Sequence, residues 1–548
     1  MPNSSSSSLP PWLFRVLQDR RAYYVLLGAW AILFIRRMVP TVHVDFDDAW
    51  MIMRYAQHLV DGHGYQWNIS GGPTFGSTSI AYTFWLAGVK FLLGWLLNDT
   101  QIVGFSSLLF LLAATLLLME LTFRFVGKLF NLERPQVYVL MAILLSGRYW
   151  MAHGSTGMET SMALVANGLF LWRLVRIGEN PNPRNCLAFL GIAYLTYLIR
   201  LDHAPFLALT PLIMLPLTYK WPMKRVIFLL AMLGIILALD TWVKWSYFGD
   251  FLPLPYYVKK FGYYEAYSAY WTWNTVTFLQ WYALLTLPFV LVSIYLWQGS
   301  REQLGVLLGI GIPLIITLGV LTSSVQIMGG EMRFYAPYVP HVVIAMGLLG
   351  RYHGEKLTRT FPFGRAIIMA MYLGLVTGVF PSVERIYSVY LDDWSTEGFQ
   401  LQRQDPQPMP VMGDDLWGTG ASIAREIHKL PDTVMVAAGE HGYLGALIPE
   451  YDILDFMGLH EPRMKDGAEV VIDLVEQDRP GFIWMPHGDY PVMIRRLEAA
   501  PFFKRDYYYF PRMYIFGAAI RKDLVPLMQE RGAFPELLNT TPSTPIDP

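Results

Sequence analysis

Three carboxylates lie close together near the start of the chain, just after an apolar stretch long enough to cross a membrane. They are Asp45, Asp47 and Asp48, and Arg54 follows them at helical spacing. Adjacent carboxylates repel each other, which raises a pKa or calls for a cation. A carboxylate near membrane depth can also accept the proton of a reacting hydroxyl. We therefore predict that Asp47 and Asp48 are catalytic, with Asp47 as the general base, although a short Asp run is also typical of a solvated turn.

The composition indicates a membrane protein. The chain has 548 residues, of which 54% are hydrophobic and 16% charged, and its mean hydropathy is +0.33. A soluble protein of this length rarely has such values. The net charge of -1 gives no sign of a nucleic-acid partner. The single cysteine, Cys186, excludes an internal disulfide framework and a cysteine-based metal site.

Apolar stretches predict a polytopic α-helical protein with about eleven spans. The stretch from Ser79 to Leu97 is predicted to be a re-entrant or interfacial helix, because a further crossing would put the basic residues around Arg124 on the wrong side of the membrane. Residues 1–21 are predicted to be a disordered cytoplasmic tail, residues 22–382 a membrane domain and residues 383–548 a soluble extracytoplasmic α/β domain. The spans are predicted to begin at Ala22, Gln101, Gln136, Ser161, Cys186, Ala204, Val226, Thr275, Gln303, Ala336 and Ala366.

The excess of Lys and Arg in alternate connections predicts which connections face outward. These five connections hold nearly all the unusual polar residues that adjoin apolar sequence. We therefore expect one active site on the extracytoplasmic face, built from all five. They follow Val42, Ser146, Arg200, Lys244 and Ser323.

Six stretches occur in an order that resembles one enzyme family. Their positions are Asp47-Asp48-Ala49 through Trp67-Asn68; Ser155 through Thr160, with Glu159; Arg200-Leu-Asp202-His203; Tyr247 through Lys259; Gly329-Gly330-Glu331 with Arg333-Phe334; and Asp455-Phe-Met-Gly458-Leu459. The set resembles the GT-C arabinofuranosyltransferases, which add terminal furanose residues from decaprenyl-phosphoryl-arabinose. The chain departs from the usual family pattern at Leu201-Asp202-His203, at Pro253-Leu-Pro255 and at Glu331, and these departures concern the sugar and the acceptor.

The resemblance implies a GT-C fold and an inverting transfer of a sugar, arabinofuranose by preference, from a polyprenyl phosphate. The leaving phosphate requires a cationic clamp. Arg54, Lys259, Arg333 and Arg200 are the predicted phosphate-binding residues, although Lys259 and Arg333 could also be interfacial anchors. Predicted sugar- or acceptor-binding residues are Glu159, Asp202, His203 and Glu331, with helix capping by Glu159 and a salt bridge from Asp202 to Arg200 as the structural alternatives.

No cofactor follows with certainty from the sequence. A hard divalent ion (Mg²⁺, Mn²⁺ or Ca²⁺) on Asp47 and Asp48 stays open. Zinc is not predicted, because the outward-facing histidines show no tight metal-ligand spacing. The expected partners are the polyprenyl-phosphate sugar, the lipid bilayer and a cell-envelope glycan or surface protein as acceptor. The expected location is the bacterial plasma (inner) membrane, with the N-terminus cytoplasmic.

Three alternatives remain at this stage. The first is a transferase of mannose, of another hexose or of a modified aminosugar to protein or lipid on the same scaffold. The second is a lipid-sugar transporter or flippase, whose spans should carry charges near the membrane midplane, and Asp240 is one such charge. The third is a structural assembly protein in which substitution of the carboxylates leaves the pathway intact.

Overall fold

A computed structural model describes the chain over most of its length. The described residues are 19–38, 46–127, 132–145, 150, 153–154, 156–260, 287, 290–295, 297, 299–322, 333–360, 416–465, 470–486 and 490–540. The predicted spans that begin at Thr275 and Ala366, the predicted domain boundary at 382/383, Asp45 and Glu331 lie outside these residues.

Most of the described residues before residue 361 are helical. Its described helices are α1 (Arg20–Met38), α2 (Asp47–Val60), α3 (Ile80–Leu93), α4 (Asp99–Phe125), α5 (Arg134–Leu145), α6 (Thr160–Glu179), α7 (Pro183–Ile199), α8 (Ala204–Thr218), α9 (Met223–Phe248), α10 (Leu254–Lys260), α11 (Arg301–Thr322) and α12 (Val339–Thr360).

Among the described residues, four helical stretches are long and apolar enough to cross a membrane, judged by length and composition. They are α4, the stretch Leu201–Thr218, α9 and the stretch Arg301–Leu321. Helix α9 leaves large apolar side chains such as Phe228 and Trp242 exposed, as expected of a helix that faces lipid. Helix α3 has 14 residues and is therefore about 21 Å long, shorter than the hydrocarbon core. This length agrees with a helix that does not cross, whereas the total number of spans stays a prediction.

The C-terminal part contains a mixed five-stranded sheet. Its strands are β1 (Val436–Ala438), β2 (Ile453–Asp455), β3 (Phe482–Trp484), β4 (Tyr507–Phe510) and β5 (Ala518–Arg521), in the order β2-β1-β3-β5-β4. Strand β1 pairs in parallel with β2 and β3, and β5 pairs antiparallel with β3 and β4.

Apolar cores lie on both faces of this sheet. Val436 and Ala438 contribute to one core and Ala437 to the other, because successive side chains of a strand point to opposite faces. The described helices around the sheet are α13 (Leu416–Ile427), α14 (His441–Leu447), α15 (Val470–Asp478), α16 (Pro491–Ala499), α17 (Pro501–Asp506), α18 (Val525–Arg531) and α19 (Pro535–Leu538). The prediction of a C-terminal α/β unit is confirmed in its secondary structure.

The α/β unit packs on helix α2. Ala49, Trp50 and Met53 of α2 share a buried apolar cluster with Tyr443 and Ala446 of α14. The rings of Trp50 and Trp417 also stack, with centroids 4.4 Å apart. This contact positions the polar residues of α2 relative to both parts of the chain.

Candidate active site

Asp47 is buried at the junction between α2 and α14. It is the first residue of α2 and is only 2% exposed. Its Oδ2 accepts a hydrogen bond from the amide of Gly442 at 3.1 Å and its Oδ1 accepts one from Tyr443 at 2.7 Å. A side chain at Gly442 would overlap the Asp47 backbone. Burial and the charge of Glu440 raise the pKa of Asp47 to about 8.

Arg54 lies two helical turns further along α2, at the other end of α14. It is fully buried, and all its N–H groups have acceptors. Nη1 donates to the carbonyls of Gly445 at 2.7 Å and Ile448 at 3.1 Å, Nη2 donates to Tyr451 at 2.7 Å, and Nε donates to Trp67 at 2.8 Å.

An arginine that is saturated in this way has no donor left for a ligand. The prediction that Arg54 binds the donor phosphate therefore disagrees with its geometry, since backbone carbonyls occupy its guanidinium group. Burial lowers the pKa of Arg54 to about 10, so the side chain stays charged at neutral pH. The positive charge of Arg54 at the C-terminus of α14 matches the helix dipole. Asp47 and Arg54 together dock the α/β unit.

Asp48 faces a different environment from its neighbour. Its Oδ2 forms an ion pair with Arg333 Nη2 at 3.0 Å, and its side chain is 23% exposed. Arg333 is buried, and its Nε and Nη1 have no hydrogen-bond partner among the described residues. The Arg333 guanidinium lies 5.1 Å from the ring centroid of Phe334. Buried donors are rarely left unpaired, so this arginine has two N–H groups available for an anion.

Lys259 is a second cation at this site. It is half-buried near the end of α10 and interacts electrostatically with Asp48, Arg333 and Arg200. Burial and the two arginines lower the pKa of Lys259. No ion pair of Lys259 with a described carboxylate is present within 4 Å. Its ammonium group therefore adds a second positive charge near Asp48, beside the Arg333 N–H groups that have no partner among the described residues.

Arg200 belongs to the same cluster but is held by carboxylates. Its Nε and Nη2 donate to Asp202 at 2.9 and 3.0 Å, and its Nη1 lies 3.4 Å from Glu159 Oε1. Tyr338 also donates its hydroxyl to Asp202 at 3.0 Å. The salt-bridge alternative for Asp202 is thus realised. Arg200 and Asp202 are better placed to shape the site than to bind a ligand directly.

Glu159 keeps one carboxylate oxygen available. It stands at the N-cap position of α6 but makes no side-chain cap hydrogen bond, so the capping alternative does not hold. Within the described structure, its buried Oε2 has no hydrogen-bond partner.

His203, predicted to bind the sugar or the acceptor, is fully buried. Its Nε2 lies 3.4 Å from Asn167 Nδ2, and its ring packs edge-on against Tyr338. These contacts are typical of a histidine packed in the protein interior.

Residues from the five predicted connections interact with one another. Asp48 pairs with Arg333 and interacts with Lys259. Lys259 also interacts with Arg200, which contacts Glu159. That these connections face outward stays a prediction. The divalent ion considered for Asp47 and Asp48 stays a prediction, but the two carboxylates have separate partners, amides for Asp47 and an arginine for Asp48.

Sequence reasoning missed the ring of Phe334 between two guanidinium groups. Arg200 lies 5.6 Å and Arg333 lies 5.1 Å from its centroid. It also missed three buried residues of the α/β unit, His441, Asp455 and His460, that could hold a metal ion. Of the three, only Asp455 belonged to a motif noted in the sequence. The available signal was a histidine five positions after this aspartate, His460.

Comparisons with known proteins give structural neighbours only. No protein-family model matches the chain, and no curated protein matches it. Among solved structures, the chain is similar to ArnT from Cupriavidus metallidurans in the apo state, with 11% identity and a TM-score of 0.48 over 90% of this chain and 98% of that one. It is also similar to the same protein bound to undecaprenyl phosphate, with 13% identity and a TM-score of 0.47 over the same shares. Likeness at this level does not assign a function to the chain.

Proposed function

We propose that this chain is a polyprenyl-phosphate-dependent glycosyltransferase of the GT-C kind, and that it transfers arabinofuranose to an extracytoplasmic acceptor. The observation that carries the proposal is the pair of cations beside Asp48. Arg333 has two buried N–H groups without partners among the described residues, and Lys259 has no ion pair with them. The donor class comes from the resemblance of the ordered loop motifs.

The reaction is a single displacement at the anomeric carbon. An acceptor hydroxyl oxygen forms the new bond to that carbon while the bond from the carbon to the phosphate oxygen breaks. The hydroxyl proton passes to a carboxylate, and the electron pair of the broken bond stays on the departing polyprenyl phosphate. Inversion follows, because attack and departure occur on opposite sides of the sugar.

Asp48 is the carboxylate best placed to accept that proton. It is partly exposed and adjoins the cations, whereas the carboxylate of Asp47 is sealed against Gly442 and Tyr443. The base is therefore moved from Asp47, where the sequence put it, to Asp48. Asp47 becomes a positioning residue that holds α14 against α2.

Lys259 and Arg333 are proposed to stabilise the charge that develops on the leaving phosphate. A preorganised cation is most effective where water is excluded, and both side chains are at least half-buried. Glu159 has one oxygen without a hydrogen-bond partner among the described residues, and this oxygen can accept a hydrogen bond from a sugar hydroxyl. Arg200 and Asp202 keep the cluster in place.

Two rival functions make distinguishable predictions. A hexose transferase would use the same cations with a different sugar pocket. For a flippase, the charge at Asp240 was the sequence signal, but Asp240 is paired with Lys244 at 2.5 Å on the same helix. A paired charge of this kind gives no specific support to transport.

The test is transfer of label from decaprenyl-phosphoryl-arabinose, compared with polyprenyl-phosphate mannose, to a cell-envelope acceptor extract. Purified wild type, Asp48→Asn and the exposed control Asp523→Asn are compared in detergent. Arabinose transfer that Asp48→Asn loses and Asp523→Asn keeps is the expected result. Transfer of mannose alone overturns the arabinose assignment, and transfer of neither sugar by wild type overturns the enzyme assignment.

A further inference from the structure

Two histidines and an aspartate form a compact cluster inside the α/β unit. His441 begins α14, Asp455 ends β2, and His460 follows in the next turn. Each can offer one ligand atom so that the three atoms lie within 4.8 Å of one another. The two histidines and the aspartate are 0%, 4% and 0% exposed. None of them takes part in the proposed transfer reaction.

The imidazoles of His441 and His460 each have a hydrogen-bond partner at Nδ1 but none among the described residues at Nε2. His441 Nδ1 is 2.9 Å from the carbonyl oxygen of Gly439, and His460 Nδ1 is 3.0 Å from the hydroxyl of Tyr55. Neither Nε2 has a hydrogen-bond partner among the described residues. A buried polar atom without a hydrogen-bond partner is destabilising. A purely hydrogen-bonded network would leave this destabilisation at both histidines.

The surroundings fix the two rings and the carboxylate. The ring of Trp67 stacks on His460 at a centroid distance of 4.1 Å and meets His441 edge-on at 5.5 Å. Asp455 accepts hydrogen bonds from the amides of Met457 at 2.6 Å and His460 at 2.8 Å, and its Oδ1 is 3.2 Å from His441 Nδ1. Metal-binding histidines characteristically have the second nitrogen oriented by a carbonyl, carboxylate or hydroxyl group.

We propose that His441, Asp455 and His460 bind one divalent transition-metal ion of the zinc class. Two imidazoles and one carboxylate suit Zn²⁺, whereas Mg²⁺ and Ca²⁺ prefer more oxygen ligands. Tetrahedral ligand atoms around zinc are roughly 3.3 Å apart, so binding draws the three side chains together. A water molecule completes the coordination.

The role of the ion is structural. Gly442 and Tyr443, the two residues after His441, donate the amides that hold Asp47. The ion therefore ties the first turn of α14 to the end of β2 and to the turn that carries His460. It stabilises the surface on which α2 docks, whatever sugar the chain transfers and even if it transfers none.

The proposal is tested on the full chain, purified with a tag that contains no histidine. After incubation with excess Zn²⁺ and removal of free ion, mass spectrometry should find about one zinc per chain. His441→Gln and His460→Gln should lose most of it. His428→Gln, at a half-exposed histidine that pairs with Glu450, should keep it. Tyr55→Phe should weaken zinc affinity about 10- to 100-fold through loss of the His460 partner.

X-ray absorption at the zinc edge of the wild-type protein keeps the test decisive if a variant misfolds. The expected spectrum has nitrogen and oxygen neighbours at about 2.0 Å with the signature of two imidazoles. Wild-type chain without stoichiometric zinc, a zinc environment without imidazole, or full zinc content in a folded His441→Gln, His460→Gln double variant would each overturn the proposal.

Discussion

Asp47 and Asp48 are adjacent in sequence, yet they belong to two different regions of the molecule. Asp47 and Arg54 face the α/β unit. Two backbone amides donate to the carboxyl group of Asp47, and the N–H groups of Arg54 donate mainly to backbone carbonyls. Asp48 faces Arg333 and Lys259, and two N–H groups of Arg333 have no acceptor among the described residues. Polar groups that are paired within the protein stabilise its structure, whereas buried polar groups without a protein partner are available to bind a ligand. We therefore infer that Asp47 and Arg54 dock the α/β unit, and that Asp48, Arg333 and Lys259 carry out the reaction.

The largest effect is expected where the docking region is broken. Arg54→Met removes the donors from carbonyls that stay buried, so it should lower the free energy of unfolding of the α/β unit by on the order of 3–5 kcal/mol. Limited proteolysis and thermal melting in detergent measure this loss. Arg505→Met, at an exposed arginine paired with Asp506, is the control and should melt like wild type. Equal melting of both variants would contradict the docking role of Arg54.

The second effect concerns the unsatisfied region. Arg333→Gln removes two free N–H donors and the partner of Asp48, so the donor KM should rise about 10- to 100-fold. The melting temperature should change little, because those donors contact no described protein group. Steady-state kinetics over a range of donor concentrations checks this, with Arg505→Gln as the control. An unchanged donor KM would show that Arg333 is only the structural partner of Asp48.

A third effect is a shift in pH dependence. Lys259 is a cation below its pKa and neutral above it, and its pKa is lowered by burial and by the nearby arginines. Donor binding should therefore weaken as pH rises through this lowered pKa, earlier than for an ordinary lysine. Lys259→Arg keeps the charge at all accessible pH values, so its profile should extend to higher pH. Identical alkaline limbs in the two proteins would exclude a charge role for Lys259.

The smallest effect should come from the aromatic ring between the arginines. Phe334→Leu keeps an apolar side chain but removes the ring face near both guanidinium groups. A cation–π contact contributes about 0.5–1 kcal/mol at such sites, which corresponds to a two- to five-fold rise in donor KM. Phe334→Tyr keeps the ring and should behave like wild type. A tenfold or larger effect of the leucine would indicate a role beyond this contact.

Much of this arrangement was predictable from local signals. Hydropathy and charge placed helices at most of the described apolar stretches, and the positive-inside pattern gathered Asp48, Glu159, Arg200, Lys259 and Arg333 on one face. The composition change after the membrane part also predicted the α/β unit. These features depend on residues close together in sequence or on a bias summed over many residues.

The partners of Asp47 and Arg54 were not predictable in the same way. Apart from Trp67 and Asn68, they are backbone groups nearly 400 positions away, from Gly442 to Tyr451. Every residue type has such groups, so residue identity does not reveal which of them will be partners. The sequence therefore predicted that Asp47 is the general base and that Arg54 binds the donor phosphate. The cluster of His441, Asp455 and His460 was missed for a related reason, since its members come from a helix, a strand and a turn.

The most direct test compares Asp47→Asn with Asp48→Asn in two measurements, sugar transfer and protease resistance of the α/β unit. The account predicts that Asp48→Asn loses about 100- to 10,000-fold in transfer rate, as expected for loss of a general base, with protease resistance unchanged. Asp47→Asn should mainly alter protease resistance and retain transfer where the unit stays docked. If Asp47→Asn protein is folded but transfers no sugar, while Asp48→Asn protein stays active, then Asp48 is not the general base and Asp47 has that role.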